Sequence, residues 1–139
     1  MSKHCTTFEH TADLGLEAWA DTLAELFEAL GEGLAGQICP PAAVAGRQHK
    51  SLTVQAGNLE DLLHDFLGEL LGLFDLEKFL VREVKVERID ERAVHAVAAG
   101  ETYDPARHEL DAEIKAVTYH DLTVAQEADQ WTGRVVLDI

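Results

Sequence analysis

The segment Gly100–Val124, GETYDPARHELDAEIKAVTYHDLTV, concentrates ionisable side chains in a way that packing alone does not require. His108, Lys115, Tyr119 and His120 lie among separated acidic residues, and the Asp104-Pro105 pair interrupts the apolar alternation. A second kind of chemistry comes from two aspartates at opposite ends of the sequence. Asp13 stands between Ala12 and Leu14 at the start of a β-like run, and Asp138 is the penultimate residue, followed by Ile139. Carboxylates, with a terminal one at Ile139, are hard oxygen donors suited to Ca²⁺, Mg²⁺ or Mn²⁺ rather than to a metal that selects thiolates. Sequence alone does not bring Asp13 and Asp138 together, and an Asp at a strand end also serves to cap a turn.

Other chemistries find less support. His10, His64, His108 and His120 show no HxH or HExxH spacing, and Cys5 and Cys39 form no CxxC pair, which argues against zinc. There is no GxSxG element and no glycine-rich phosphate loop between strand and helix. His64 shares a polar helical face with Glu60, Asp61 and Asp65 and reads as a solvated residue. Arg107 reads as half of a surface ion pair with a nearby acid. Lys115, taken alone, is equally a strand-edge charge that discourages aggregation. Trp19 and Trp131 sit in strand-like runs, where core packing is the expected role.

These residues need elements to position them. Thr22 and Glu25 have capping-box spacing, and Leu23, Leu26, Phe27, Leu30 and Leu34 recur at helical intervals, which predicts a helix over Thr22–Ala35. Asn58 caps a second helix with the stripe Leu59, Leu62, Leu63, Phe66, Leu67, Leu70 and Phe74. Each helix follows a β-like run, Leu14–Trp19 and Leu52–Ala56, and Gln37–Arg47 reads as a surface connection. Beyond Phe79 the apolar period falls to two, with turns at Asp90-Glu91 and Ala128–Gln130, which predicts a strand meander. Helices that are apolar on one side need a sheet to cover. The predicted fold is therefore α+β, a two-layer α/β sandwich with two amphipathic helices packed on a largely antiparallel sheet.

A length of 139 residues with 47% hydrophobic content fits one domain spanning 1–139. With 11 basic against 26 acidic residues the formal charge is −15, which repels a polyphosphate and disfavours stable direct binding of nucleic acid. The N-terminal residues lack the apolar core of a secretory signal and no run reaches the ~20 apolar residues that span a bilayer, so no membrane partner and a cytoplasmic location are expected.

Four ordered motifs carry a resemblance along the whole sequence: HTADLG at His10–Gly15, GExxDxxRH at Gly100–His108, EIKAVTYH at Glu113–His120 and VVLDI at Val135–Ile139. In these the chain closely resembles the archease family. The resemblance implies an accessory protein of tRNA splicing that is not itself a catalyst and that promotes guanylylation and turnover of an RtcB-type, GTP-dependent RNA ligase. It also implies a divalent cation, calcium ahead of manganese or magnesium, at the positions matching Asp13, Asp138 and Ile139, the last through a main-chain or terminal oxygen. Lys115 matches a lysine important for ligase activation, and His10 and His120 are candidates to orient the carboxylates. Two alternatives stay open: a metal-dependent phosphohydrolase working alone, and a chaperone-like interaction module.

Overall fold

The Thr22 hydroxyl accepts the Glu25 N–H at 3.1 Å and donates to the Glu25 carboxylate at 3.0 Å, so the expected pair of Thr22 and Glu25 caps the start of the first helix. The computed structural model describes residues 3–10 and 13–139, the side chains of Glu9 and His10 excepted. Among the described residues the order is β1 (His4–His10), β2 (Asp13–Ala20), α1 (Leu23–Ile38), β3 (Gln48–Gln55), α2 (Leu59–Glu77), β4 (Phe79–Ile89), β5 (Ala93–Thr102), β6 (Ala116–Val117), β7 (Thr123–Glu127) and β8 (Gln130–Asp138). Asn58 accepts the Asp61 N–H at 2.8 Å to open α2, and Lys78 closes it with a left-handed φ of 55°.

The α+β expectation holds, with two sheets rather than one. The strand order is β1-β2-β8-β6, with β7 also paired to β8, in one sheet and β3-β5-β4 in the other, and every pairing is antiparallel. The meander expected after Phe79 is therefore corrected. The β4–β5 hairpin belongs to one sheet, whereas β8 crosses to the other and inserts between β2 and β6. Nor does the period of two expected beyond Phe79 carry one strand through Val117–Val124. It breaks at a turn where Asp121 takes a φ of 56°, leaving β6 two residues long.

The helices pack on both sheets in one apolar cluster. Leu26, Phe27, Leu30 and Leu34 of α1 join Leu62, Leu63, Phe66 and Leu67 of α2, all nearly inaccessible to solvent. Burying each such side chain contributes roughly 1.5–3 kcal/mol, so the cluster is the main term holding the layers together. Gln37–Arg47 is only partly the exposed connection that was expected. Helix α1 runs on to Ile38, a 3₁₀ turn follows at Pro41–Ala43, and Val44 is buried. Arg82 fastens that turn by donating to the Pro41 and Val44 carbonyls at 3.0 and 2.7 Å.

Candidate functional site

Strand periodicity decides where the two aspartates point. In β2 the buried residues Leu16, Ala18 and Ala20 share one face, which puts Asp13 on the other; in β8 Val135 and Leu137 face the core, which puts Asp138 on the same outer face. Register then makes Asp13 and Asp138 direct cross-strand partners. The row continues to His10 on β1 and Ala116 on β6, so four strands bring His10, Asp13, Asp138 and Ala116 into line at one end of the sheet. The Lys115 amide donates to the Asp138 carbonyl at 2.7 Å, which fixes the lysine backbone beside the pair while its side chain stays exposed. Ile139 follows, 43% exposed.

Residues directly opposite on an antiparallel pair have Cβ atoms about 4.5–5.5 Å apart, and like charges there repel. Two half-buried carboxylates in this register are oxygen donors of the kind a hard cation takes. The donor set fits such a cation. Among the described residues no group of three or more His, Cys, Asp or Glu side chains converges on one point, so a cation there would need oxygens beyond Asp13 and Asp138 from main chain, water or a bound partner. His120 contacts the adjacent Asp121 carboxylate at 3.4 Å, and its amide donates to the Thr118 hydroxyl at 3.3 Å. The side chain of His10 lies outside the described residues, as do Thr11 and Ala12 of the HTADLG motif.

The GExxDxxRH motif builds something different. Glu101 is 8% exposed and accepts the Ala45 amide at 2.7 Å, the Arg107 guanidinium, and the His108 ring at 2.9 Å. These donors, the Ala45 amide first, then Arg107 and His108, hold its carboxyl down to about 2. His108 is itself buried, and its Nδ1 accepts the Asp104 amide at 2.9 Å, so its hydrogen sits on Nε2 and is given to Glu101. Arg107 also reaches Asp104 at 3.5 Å. The surface ion pair expected for Arg107 is therefore one edge of a buried network that ties the loop after β5 to the turn at Ala45.

His64 corrects another expectation, since it is not simply solvated. Its Nε2 lies 2.9 Å from the Val117 carbonyl and its Nδ1 2.9 Å from Asp65, while the ring stacks on Tyr119 with centroids 3.9 Å apart and planes within 10°. Trp19 also departs from the core role expected of it: it is only half-buried, meets the His4 ring in a tilted contact with centroids 4.5 Å apart, and lines an open groove of about 530 Å³ with Glu17, Thr132 and Arg134 on the outer face. The signal for His64 was its spacing from Asp61, three residues apart on one helical face; nothing local showed that a strand would meet that face.

The Archease protein family model matches residues 6–139. The chain belongs to the archease family. Protein archease of Methanosarcina acetivorans is 38% identical over 135 residues, covering 94% of this chain and 92% of that protein. Protein archease of Pyrococcus abyssi is 38% identical over 136 residues, covering 95% and 96%. Among solved structures, protein 1598 of Methanobacterium thermoautotrophicum superposes with a TM-score of 0.81 at 27% identity, over 97% of this chain and 98% of that one. An archease of Thermotoga maritima, named there as a possible chaperone, shares the archease fold with a TM-score of 0.65 at 20% identity over 96% of each chain.

Proposed function

We propose that this archease is a non-catalytic activator of an RtcB-type RNA ligase, promoting guanylylation of the ligase. The observation that carries this reading is the alignment of Asp13 and Asp138 across neighbouring strands with the Lys115 backbone bound to Asp138. Asp13, Asp138 and a main-chain or terminal oxygen of Ile139 hold a divalent cation, calcium ahead of manganese or magnesium. When bound, that ion supplies positive charge beside a triphosphate. The chain's own residues do the rest: the carboxylates orient, and the Lys115 ammonium, extending from a fixed backbone, meets phosphate oxygens or carboxylates presented by the ligase. Positioning and charge neutralisation are the main demands of phosphoryl-type transfer, and an exposed sheet end can meet them in trans. The formal charge of −15 argues that RNA reaches the ligase rather than this protein. No helix among the described residues is long and apolar enough to cross a membrane.

The test is single-turnover guanylylation of the ligase with labelled GTP, alongside calorimetry of Ca²⁺ and Mn²⁺ binding. Asp13→Ala with Asp138→Ala should abolish both the specific binding and the acceleration in a folded protein. Phosphate release by this protein alone would establish the phosphohydrolase instead. Undiminished assistance by the folded double variant would establish the metal-independent, chaperone-like module that the name of the Thermotoga protein suggests.

A further inference from the structure

We infer that His64 is a positioning residue: from helix α2 it clamps the Val117–Tyr119 segment and so fixes Lys115 beside Asp138. The inference rests on the proposed role of Lys115, and its structural half stands on separate observations. Strand β6 consists of Ala116 and Val117 alone and lies at the end of its sheet, where two ladder pairs are too few to hold a strand in place. On the sheet side it is held by the Lys115 and Thr118 amides, which donate to the Asp138 and Val136 carbonyls at 2.7 and 3.1 Å. On the opposite side the helix supplies the hold, and His64 is its centre.

Three contacts converge there. The Val117 carbonyl can only accept, so the His64 Nε2 at 2.9 Å must carry a hydrogen. The ring lies flat on Tyr119, and the Tyr119 phenol, pushed above its ordinary range by partial burial and then by its hydrogen bond to Asp61 and the nearby charge of Asp65, returns the chain to the same helix face. Asp65 lies 2.9 Å from the other ring nitrogen and flanks the ring on that side. A helical face that would otherwise be solvated is thus built to grip a strand, and the gripped residues begin two positions after Lys115. Because the lysine side chain is long, flexible and exposed, its reach is set by where its Cα is held. Freeing Val117 lets the Lys115 backbone pull away from Asp138.

His64→Phe tests this, since it keeps a flat ring to stack on Tyr119 and removes both ring nitrogens. Hydrogen exchange at the Lys115 and Thr118 amides should become roughly five- to tenfold faster, the factor expected when one hydrogen bond is lost, while amides in β2 and α1 keep wild-type rates. His64→Gln, which retains an N–H donor, should recover most of the protection. In single-turnover guanylylation the Phe variant should lower the rate at saturating protein about fivefold without raising the concentration needed for half the effect; a merely loosened docking surface would do the reverse. Unchanged exchange in folded His64→Phe overturns the clamp. Faster exchange with a wild-type saturating rate overturns the positioning role. If the wild-type protein fails to accelerate the ligase, the proposed function falls and so does the positioning role, while exchange still decides the clamp. Should His64→Phe not fold, nitrogen-15 spectra of the wild type decide: a His64 Nε2–H signal protected from solvent is expected, and rapid exchange of that proton overturns the clamp.

Discussion

Two charged regions of this molecule look alike in sequence and behave oppositely in structure. Around Glu101 each charge meets its complement: one carboxylate takes an amide, a guanidinium and an imidazole N–H, and Glu101 and His108 are both buried. At the end of the β2–β8 ladder a carboxylate is placed opposite a carboxylate. The first arrangement lowers its own energy and closes a loop onto the fold. The second sets like charges against each other across the ladder, a repulsion that the proposed cation would offset. The identity of the residues does not separate the two regions; the sign of what stands opposite does.

Glycines next to the two regions give the largest expected contrast. A Cβ at Gly100 would lie 1.8 Å from the Leu80 carbonyl oxygen, part of the paired β4 backbone that cannot give way without opening the ladder. A Cβ at Gly15 would lie 2.2 Å from the tip of the Phe8 ring, which can swing aside. Gly100→Ala should therefore cost upwards of about 4 kcal/mol and Gly15→Ala about 1–3 kcal/mol. Urea unfolding measures both. Equal costs would show that the Glu101 region is no more rigidly built than the carboxylate end.

Acid unfolding sharpens the same contrast. The Glu101 carboxyl is held at about 2 in the folded protein against an ordinary 4.5, so folding favours its ionised form. The resulting stability is fully present above pH 4.5 and drains away as pH falls toward 2, because the unfolded chain takes up the proton first. Glu101→Gln should be less stable than wild type at neutral pH and should lose less on acidification over that window. A variant whose stability falls in parallel with wild type between pH 5 and 3 would remove Glu101 from the centre of the network.

How much of this was legible in the sequence differs between the regions for physical reasons. Local signals read true: the Thr22 and Asn58 caps start both helices, and the leucine stripes face the core. Period-two patterning placed Asp13 and Asp138 in strands, but their pairing depends on β8 crossing to lie beside β2, a choice made by the whole core rather than by either strand. The family resemblance pointed to both residues without giving the register. His64 failed for the same reason, since a polar helix face and a gripping face have the same periodicity. The Glu101 hub was hidden because its first donor, the Ala45 amide, lies 56 residues away and has no side-chain signature.

At the carboxylate end the expected stability effects are smaller and reversed in sign. Asp138→Asn removes the repulsion with Asp13 while keeping shape, so in chelator the variant should match or exceed wild type by about 0.2–1 kcal/mol. Adding Ca²⁺ should then raise the Tm of the wild type and leave that of the variant in place, because only a ligand bound to the folded state stabilises it. A variant clearly less stable than wild type in chelator would mean that the Asp13–Asp138 pairing is held together by other contacts, and the contrast with Glu101 would collapse.

Lys115 should show the smallest stability effect, and the separation between fold and function should be widest there. Its backbone amide is what binds Asp138, and its side chain is exposed, so Lys115→Met leaves the fixed part untouched and removes only the charge. Unfolding free energy should change by less than about 0.5 kcal/mol, and Ca²⁺ affinity should hold, because the ammonium is not a ligand. If the ammonium meets phosphate or carboxylate oxygens on the ligase, guanylylation at saturating protein should nevertheless fall by about 10²-fold, the scale lost when a charge-stabilising donor is removed from a phosphoryl-type transition state. Single-turnover kinetics with labelled GTP read this directly. A Met variant that is stable, binds metal and still drives guanylylation at the wild-type rate would return Lys115 to the role of a strand-edge charge.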